Sequence, residues 1–555
     1  MKTKDLIAKR LRREKAMERK NRNKQQVAQQ RAATETRDVE YTLPTGFSDK
    51  VLNEVKQLPN QSISQNEVMR RRDMRDVLTF TIDPDEAKDF DDALSFQILD
   101  TGNYQVGIHI ADVTHYVQEQ TALDDEAYQR GTSVYLVDRV IPMLPERLSN
   151  ELCSLRPDED KLCMSVIVEM DQQAKVIRHK ICRTVIRSNY RLTYRQAQEL
   201  LENSLQLKVD SGQLREALQV LNGLAKQLRA NRFRQGAINF ETPEVHFRLD
   251  EHNEPVEIFF HNSLDTNHLI EEFMLLANRI VATAIGKVKG ENAKENAENG
   301  EGKKSEKAKP MVYRVHDNPD PEKIGKLSTF IKRFGLNLKV SSNSKTTHKH
   351  INALLDDCQG MPCQTLVETL TIRSMAKAVY STDNIGHYGL AFPYYTHFTS
   401  PIWRYPDMMV HRLVSRYLLQ SKAKCRADKE ELEQACVHCS ECELAAQMAE
   451  RDSIKEMHAR WISSHLGEEF DAIISGVTEF GLFVQLTDTM TEGLVPIRTI
   501  EPHDYMQFDE ENYCLIAARS GNTYTLSDKV RVRVTKVDIE RKLIDFVLVE
   551  HEEYR

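Results

Sequence analysis

TIDPDEAKDFDDALS, residues 81–95, is the stretch that most constrains the fold of this chain. The residues leading into it, 77–82 (VLTFTI), are β-branched and aromatic, which is typical of a strand. Pro84 helps the chain to leave that strand, because proline has no N–H for a sheet ladder. A second strand pattern follows at 104–110 (YQVGIHI). The acidic residues are therefore predicted to lie in a loop that follows a strand.

This loop can bring several carboxylates to one point. Four of them fall within ten residues: Asp83, Asp89, Asp91 and Asp92. Magnesium prefers oxygen ligands, and two ions about 3.5–4 Å apart can stabilise the attacking and leaving oxygens of phosphodiester hydrolysis. A solvated acidic turn remains an alternative on spacing alone. A calcium loop of the EF-hand kind is excluded, because Lys88 occupies the position that needs glycine and Ala87 the third ligand position.

The chain of 555 residues is too long for one core and is expected to divide into two or three domains. Helical patterns at 193–229 and 265–286 accompany the strands, and from about residue 467 short strands alternate with turns, which suits a small OB-type barrel. We expect an α+β chain with a mixed α/β domain followed by this barrel. The expected bounds are 1–45 for a basic helical or disordered arm, 46–70 for a linker, 71–465 for the mixed domain with a flexible insertion at 287–309, and 467–550 for the barrel.

The net charge of −8 conceals an uneven distribution. Residues 1–37 are strongly basic, whereas much of the acid lies in carboxylate clusters elsewhere. Such a chain can hold divalent cations and still bind RNA through separate basic surfaces. No apolar stretch approaches the ~20 residues of a membrane-spanning helix, and the basic N-terminus lacks the apolar region of a secretory signal. We therefore expect a cytoplasmic protein that does not bind membranes.

The ten cysteines are scattered, as expected for thiols in a reducing compartment. Cys436, Cys439 and Cys442 form a CxxCxxC pattern with His438, which resembles a metal or cluster site. The surrounding residues, 429–457, have helical periodicity, and a spacing of three places the thiols along one helix face. Buried structural thiols are the favoured interpretation, with a zinc or iron–sulfur site as the alternative.

The segment 81–95 resembles the signature of the ribonuclease II and ribonuclease R family. Further blocks resemble that family in the same order: GIHIADVTHYV at 107–117, RGTSVYLVDRVIPMLPERLSNELCSL at 130–155, GAINFE at 236–241 and HYGLAFPYYTHFTSPIWRYPDMMVHR at 387–412. The resemblance extends over roughly residues 70–550. It implies a processive, magnesium-dependent 3′→5′ exoribonuclease that releases nucleoside 5′-monophosphates. The implied catalytic domain is of the RNB type, with a narrow RNA channel.

The same resemblance assigns roles to individual residues. Asp83, Asp89, Asp91 and Asp92 are implied to hold two magnesium ions, with manganese able to replace them, and Asp91 is the carboxylate whose loss most selectively stops the chemistry. The implied substrate is single-stranded RNA or RNA with a 3′ overhang, and the protein is expected to be a monomer. The residues implied to contact RNA are Tyr135 and Phe240 by stacking, Tyr194 and Glu271 at the ribose (with Glu272 as the alternative to Glu271), Arg404, and Phe480 and Phe483 in an S-one-type barrel.

Two departures from the family pattern stand out. Fewer than ninety residues precede Asp83, too few for the two cold-shock barrels usual in the family. After Thr-Ser-Pro-Ile the family has two basic residues, the first expected to hold the phosphate near the cleavage point, whereas this chain has Trp403 and Arg404. These departures leave a second hypothesis open: a weakened or non-catalytic RNA-binding relative. The intact set of aspartates favours the working enzyme.

Overall fold

The computed structural model describes residues 43–44, 46–59, 63–202, 204, 212–238, 244–261, 263–287, 309–339, 344–361, 363–419, 427–510 and 512–549. The expected basic arm and the expected insertion at 287–309 lie almost entirely outside these residues, as does Phe240. The chain divides into two compact units, one spanning residues 45–457 and the other containing residues from His458 onward.

A seven-stranded mixed sheet forms the centre of the first unit. The strands lie in the order β1-β8-β7-β4-β3-β2-β9; the outer pairs β1–β8 and β2–β9 are parallel and the inner pairs antiparallel. The strand bounds are β1 Arg72–Asp73, β2 Thr79–Asp83, β3 Asp92–Ile98, β4 Tyr104–Ala111, β7 Asp160–Met170, β8 Val176–Arg187 and β9 Tyr190–Thr193.

The central strands are held by apolar burial. Every residue of β2 is buried, and Phe80, Leu94 and Ile108 are completely enclosed. The expected strands at 77–82 and 104–110 are confirmed as β2 and β4. The intervening strand β3 was not predicted; it begins at Asp92 inside the acidic run and pairs with both neighbours. The four aspartates therefore extend from the end of one strand to the start of the next.

Helices pack against this sheet. The pattern at 193–229 corresponds to two helices, α4 and α5, and the pattern at 265–286 to α6. The Thr193 hydroxyl caps α4 by accepting a hydrogen bond from the Gln196 N–H. The Gln196 side chain in turn accepts one from the Thr193 N–H, and both bonds stabilise the first turn. The helix bounds in this unit are α1 Asp49–Gln57, α2 Gln65–Met69, α3 Ala122–Arg130, α4 Tyr194–Leu201, α5 Gly212–Arg234, α6 Asp265–Gly286, α7 Pro321–Ile331, α8 Ser344–Asp357, α9 Gln364–Ser374, α10 Tyr405–Val414 and α11 Lys429–Ser463, whose last turns belong to the second unit.

Three short antiparallel pairs complete the first unit. They are β5 Val134–Tyr135 with β6 Val140–Ile141, β10 Glu244–Leu249 with β11 Pro255–His261, and β12 Tyr313–Val315 with β13 Val379–Ser381. In the part of the chain that the structure describes, no helix is both long and apolar enough to cross a lipid bilayer.

The second unit is built on a closed five-stranded barrel in the order β14-β15-β16-β21-β20. Its interior is filled by completely buried side chains that include Leu482, Val484 and Phe546. The α+β class with a C-terminal OB-type barrel is therefore confirmed. The bounds are β14 Glu469–Thr478, β15 Gly481–Leu486, β16 Glu492–Pro496, α12 Ile497–Ile500, β20 Lys529–Asp538 and β21 Leu543–Leu548, with a separate three-stranded sheet of β17 Met506–Asp509, β18 Cys514–Ala517 and β19 Thr523–Thr525.

Candidate active site

The antiparallel pairing of β2 with β3 brings the two ends of the acidic run together. Asp83 is the last residue of β2 and Asp92 the first of β3, and the ladder between these strands pairs Phe80 with Leu94. Burial raises the pKa of Asp83 to about 7; the Thr81 hydroxyl and the charge of Arg191 oppose this shift, and the charge of Asp89 adds a smaller contribution to it. Burial and the charge of Asp83 also raise the pKa of Asp92 well above its ordinary value. These carboxylates are close enough to disfavour one another's ionisation.

The loop between the strands is fixed by hydrogen bonds from another segment. Phe90 N–H donates to Ser154 Oγ at 3.0 Å, and the Ser154 hydroxyl donates to the carbonyl of Lys88 at 2.7 Å. Leu155 N–H donates to the carbonyl of Phe90 at 3.0 Å. The backbone on both sides of Asp89 is thereby held, so this carboxylate occupies a defined position.

Asp91 is the most enclosed of the four carboxylates, with 4% of its surface exposed. Its Oδ1 accepts a hydrogen bond of 3.0 Å from the backbone N–H of Ile402, whereas its Oδ2 is buried without a hydrogen-bond partner. Burial raises the pKa of Asp91 well above the ordinary value, and the charges of Asp89, Asp92 and Asp407 raise it further. An ionised Asp91 therefore needs a cation to compensate it.

The donor set fits a hard divalent cation. Asp83 Oδ2, like Asp91 Oδ2, is buried and has no hydrogen-bond partner. Among the described residues, no three His, Cys, Asp or Glu side chains converge into a ready-made metal cage. Magnesium usually takes only one or two carboxylates and completes its shell with water and substrate phosphate oxygens. Two buried carboxylates, each with an oxygen that has no hydrogen-bond partner, suit that requirement.

Two aromatic side chains lie beside the carboxylates. The hydroxyl of Tyr135, on β5, donates to Asp89 Oδ2 over 3.5 Å, and 39% of Tyr135 is exposed. The ring of Trp403 lies 5.7 Å from that of Tyr135, at an interplanar angle of 83°. Phe240, predicted to stack on RNA with Tyr135, lies outside the described residues.

Arg404 forms a buried ion pair at the start of α10. Its Nε and Nη2 donate to the two carboxylate oxygens of Asp407, both at 2.9 Å. Asp407 is completely buried and also accepts a hydrogen bond from the backbone N–H of Ser400 at 2.8 Å. Burial lowers the pKa of Arg404, but the charge of Asp407, the neighbouring Tyr380 and the hydrogen bonds to Asp407 together leave it raised. The carboxylate thus fixes both the guanidinium and the loop before it.

Tyr194 is the other aromatic side chain near the aspartates. It opens α4; burial raises its pKa, and the charges of Asp92 and Asp83 add to the effect. On α6, Glu271 is 43% exposed at its side chain and pairs with Arg229 and Arg232 at 3.5 and 3.2 Å. The structure thus places Tyr194 beside the carboxylates and leaves Glu271 accessible.

The adjacent Glu272, the alternative to Glu271, has a different environment. Its side chain is only 4% exposed, and it forms an ion pair of 2.5 Å with Arg232. Burial raises its pKa. Glu272 therefore anchors α6 to α5 through Arg232, whereas Glu271 is the glutamate that solvent can reach.

The two phenylalanines predicted in the barrel form an aromatic pair at the start of β15. The rings of Phe480 and Phe483 are 5.9 Å apart at an interplanar angle of 88°, and 38% of Phe480 is exposed. Gly481, between them, pairs with Pro496 across the ladder. This face offers an exposed aromatic surface of the kind that stacks on single-stranded nucleic acid.

The CxxCxxC segment is buried in α11. Cys436 and Cys439 are almost completely enclosed, and burial raises the pKa of Cys436 to about 12. His438 Nε2 interacts with the carbonyl of Tyr128 at 2.8 Å. The enclosure of Cys436 and Cys439 supports the interpretation of these two as structural thiols.

Three contributors to this site were missed from the sequence: Ser154, the backbone N–H of Ile402, and Asp407. Ser154 and Ile402 are unremarkable in sequence, and their roles follow from contacts between distant segments. Asp407 could have been predicted from the sequence, because an acidic residue three positions after Arg404 in the first turn of a helix can form an ion pair with it.

Comparison with known proteins agrees with the fold and with the family resemblance. Residues 71–420 match the model of the RNB domain, and residues 465–548 match that of the S1 RNA binding domain. The chain is 40% identical over 510 residues to ribonuclease R of Aquifex aeolicus, an alignment that covers 92% of this chain and 69% of that protein.

Solved structures agree as well. Mycoplasma genitalium RNase R, in complex with ribose methylated single-stranded RNA, superposes with a TM-score of 0.82 at 28% identity, covering 91% of this chain and 76% of that one. Yeast Ssd1, described as a pseudonuclease, has a TM-score of 0.63 at 19% identity, covering 82% of this chain and 54% of that one. The likeness to Ssd1 concerns the fold alone.

Proposed function

Because this chain belongs to the RNB family of ribonuclease R-type 3′→5′ exoribonucleases, we propose that it is itself a working, processive exoribonuclease that hydrolyses RNA to nucleoside 5′-monophosphates. The observation that carries this proposal is the buried carboxylate group with unpartnered oxygens on Asp83 and Asp91. Such oxygens are costly to bury unless a cation compensates them, so a purely structural role would not favour them. The solvated acidic turn considered from the sequence does not fit residues that are 9% and 4% exposed.

In the proposed mechanism, Asp83, Asp89, Asp91 and Asp92 hold two magnesium ions, and manganese is able to replace them. When bound, these ions would polarise the scissile phosphate and lower the pKa of a water molecule. Other groups of the chain hold these carboxylates in position. Ile402 N–H orients Asp91, and the Ser154 hydroxyl holds the loop that carries Asp89.

The proposed RNA contacts divide between the two units. Tyr135 and Phe240 stack on bases in the catalytic domain, and Tyr194 with Glu271 sense the ribose, where a 2′-hydroxyl distinguishes RNA from DNA. Phe480 and Phe483 hold RNA on the barrel. Arg404 contributes positive potential and contacts RNA with the donors that Asp407 leaves unused. We propose single-stranded RNA or RNA with a 3′ overhang as the substrate.

We also propose that the protein acts as a monomer in the cytoplasm. The described cysteines are free thiols, as expected in a reducing compartment.

A second candidate function is a weakened or non-catalytic RNA-binding protein. The observation in its favour is that Trp403 carries no charge and Arg404 is already paired with Asp407. Cationic stabilisation of the transition state is typically worth several kcal/mol, so its loss would slow hydrolysis without preventing RNA binding. The two candidate functions predict different rates of RNA hydrolysis but the same binding of RNA.

Labelled RNA tests the proposed function directly. Purified protein with magnesium is expected to release nucleoside 5′-monophosphates from single-stranded RNA. A 3′-end label is freed at once, whereas a 5′-end label passes to one short limit fragment with few intermediate lengths, because a processive enzyme degrades each RNA before it releases it. DNA of the same sequence serves as the control and is expected to persist. RNA binding without release of nucleotides would overturn the catalytic proposal in favour of the second candidate.

Metal binding should be visible as a change in stability. Wild-type protein is expected to gain about 2–3 kcal/mol of unfolding free energy when magnesium reaches roughly a hundred times its Kd, because the ion binds only the folded state. Asp83→Asn removes a buried charge, so it should stabilise the metal-free protein and reduce the gain from magnesium. Thermal unfolding in EDTA and in MgCl₂ measures both effects. Asp85→Asn, an exposed carboxylate in the same loop, is the control; equal magnesium responses for Asp83→Asn and wild type would contradict the assignment.

A further inference from the structure

Trp403 forms, with Tyr135, a right-angled aromatic surface next to the carboxylates; we call these two rings the aromatic corner. The ring centroids are 5.7 Å apart and the planes meet at 83°. Part of the indole packs against the hydrophobic core, and the rest is exposed. The Tyr135 hydroxyl reaches Asp89 Oδ2 over 3.5 Å, so the corner borders the candidate metal site.

The backbone holds the two rings in a fixed relation. The carbonyl of Trp403 accepts hydrogen bonds from the Ser133 N–H and from the Thr132 hydroxyl, both at 2.9 Å. Ser133 lies only two residues before Tyr135, so the segment that leads into β5, which carries one ring, is bonded directly to the residue that carries the other. A rigid aromatic surface loses little conformational entropy when a flat ligand binds.

The Arg404 guanidinium lies 5.2 Å from the Trp403 ring, in cation–π range, and its ion pair with Asp407 keeps it there. Hydrogen bonds therefore hold the Trp403 backbone carbonyl, and the Arg404 guanidinium packs beside the ring. The corner is a preformed surface that needs no rearrangement to accept a ligand.

We propose that the aromatic corner binds a nucleobase at the 3′ end of the RNA, so that Trp403 positions the terminal nucleotides by stacking and not by charge. This inference rests on the proposed function. A flat base can place its face against one ring while the perpendicular ring limits its sideways movement. Stacking accepts every base, because each has a π face. An uncharged indole also adds nothing to the salt dependence of binding, which follows the number of phosphate contacts.

The chain contains two tryptophans, which makes a direct test possible. Trp461→Phe leaves Trp403 as the only tryptophan, and Asp91→Asn added to it prevents hydrolysis during the measurement. Binding of single-stranded RNA to this double variant is expected to quench Trp403 emission. RNAs of equal length that carry one abasic residue at each of the last three positions in turn are the matched probes. One of them should bind with Trp403 unquenched.

Substitutions give a second measurement. Trp403→Leu should weaken RNA binding by about 5- to 100-fold without changing the slope of log Kd against log salt, since it removes stacking and no charge. Trp403→Phe should recover most of the affinity. Trp403→Arg should steepen the slope by about 0.7, the value of one added phosphate contact on a single strand. A merely structural role for Trp403 would lower the unfolding temperature of Trp403→Leu and leave its RNA affinity unchanged.

The outcomes separate this inference from the proposed function. In one outcome, wild-type protein hydrolyses RNA while Trp403 emission stays unchanged on RNA binding; in another, it hydrolyses RNA while no abasic probe restores the emission. Either result refutes the base-binding role of the aromatic corner and leaves the proposed exoribonuclease activity intact. If an abasic probe restores emission while wild type releases no nucleotides, the corner is supported and the catalytic proposal fails.

Discussion

Asp91→Asn is expected to lower the rate of RNA hydrolysis by at least ~1,000-fold while leaving RNA affinity within about two-fold of wild type. The asparagine has almost the same shape, and its carbonyl oxygen can still accept the hydrogen bond from Ile402 N–H. What disappears is the negative charge on a side chain whose second oxygen is buried without a partner. The fold and the RNA contacts should therefore remain, whereas the position for a cation is lost.

Single-turnover hydrolysis of end-labelled RNA measures the rate, and fluorescence anisotropy measures the affinity. Asp85→Asn is the matched control, because it removes a carboxylate from the same loop at an exposed position. It should retain nearly full activity. An Asp91→Asn protein that hydrolyses RNA within tenfold of wild type would show that this carboxylate is dispensable.

Asp407→Ala is expected to lower the free energy of unfolding by about 3–5 kcal/mol, because it leaves a buried guanidinium without its counter-ion. Asp407 is completely enclosed, and it bonds both the Arg404 fork and Ser400 N–H. Its loss also frees the loop whose Ile402 N–H orients Asp91, so hydrolysis should fall as well. This pair therefore connects stability to the candidate site.

Urea unfolding followed by circular dichroism measures the change. Glu257→Ala is the control, since it breaks an ion pair with Arg248 in which both side chains are largely exposed, and such pairs contribute little. Replacing both partners, Arg404→Leu with Asp407→Leu, should recover much of the stability, because neither charge is then buried alone. If Asp407→Ala unfolds at the same urea concentration as the control, the buried pair does not stabilise the fold.

Much of the fold could be predicted from local pattern. The strands β2 and β4, the helix α6 and the five-stranded barrel follow from alternation and helical periodicity, which are properties of contiguous residues. The strand β3 was missed because it begins within an acidic run, and the alternation of apolar and polar residues starts only at Leu94. Membership of the family rested on motifs, and the comparisons support it.

The candidate site was predictable only in part. Spacing and family resemblance placed the aspartates, Tyr135 and Tyr194 together, and the geometry agrees. The contacts that orient them come from segments far away in the chain, and no local pattern encodes such pairings. The importance of the ion pair between Arg404 and Asp407 likewise depends on its burial, which the sequence does not show. The same two residues on an exposed helix would contribute little to the free energy of unfolding.

The hydrogen bond between Asp91 and Ile402 also has a consequence for biosynthesis. It joins residues 311 positions apart, so the carboxylate loop leaves the ribosome long before the amide that orients its central member exists. Domains form as units while the chain is made from its N-terminus. The candidate site is therefore completed late in translation, after the seven-stranded sheet and the helices that precede residue 402 have already been synthesised. A chain with this order of assembly can complete its candidate site only after the ribosome has moved far along the message that encodes it.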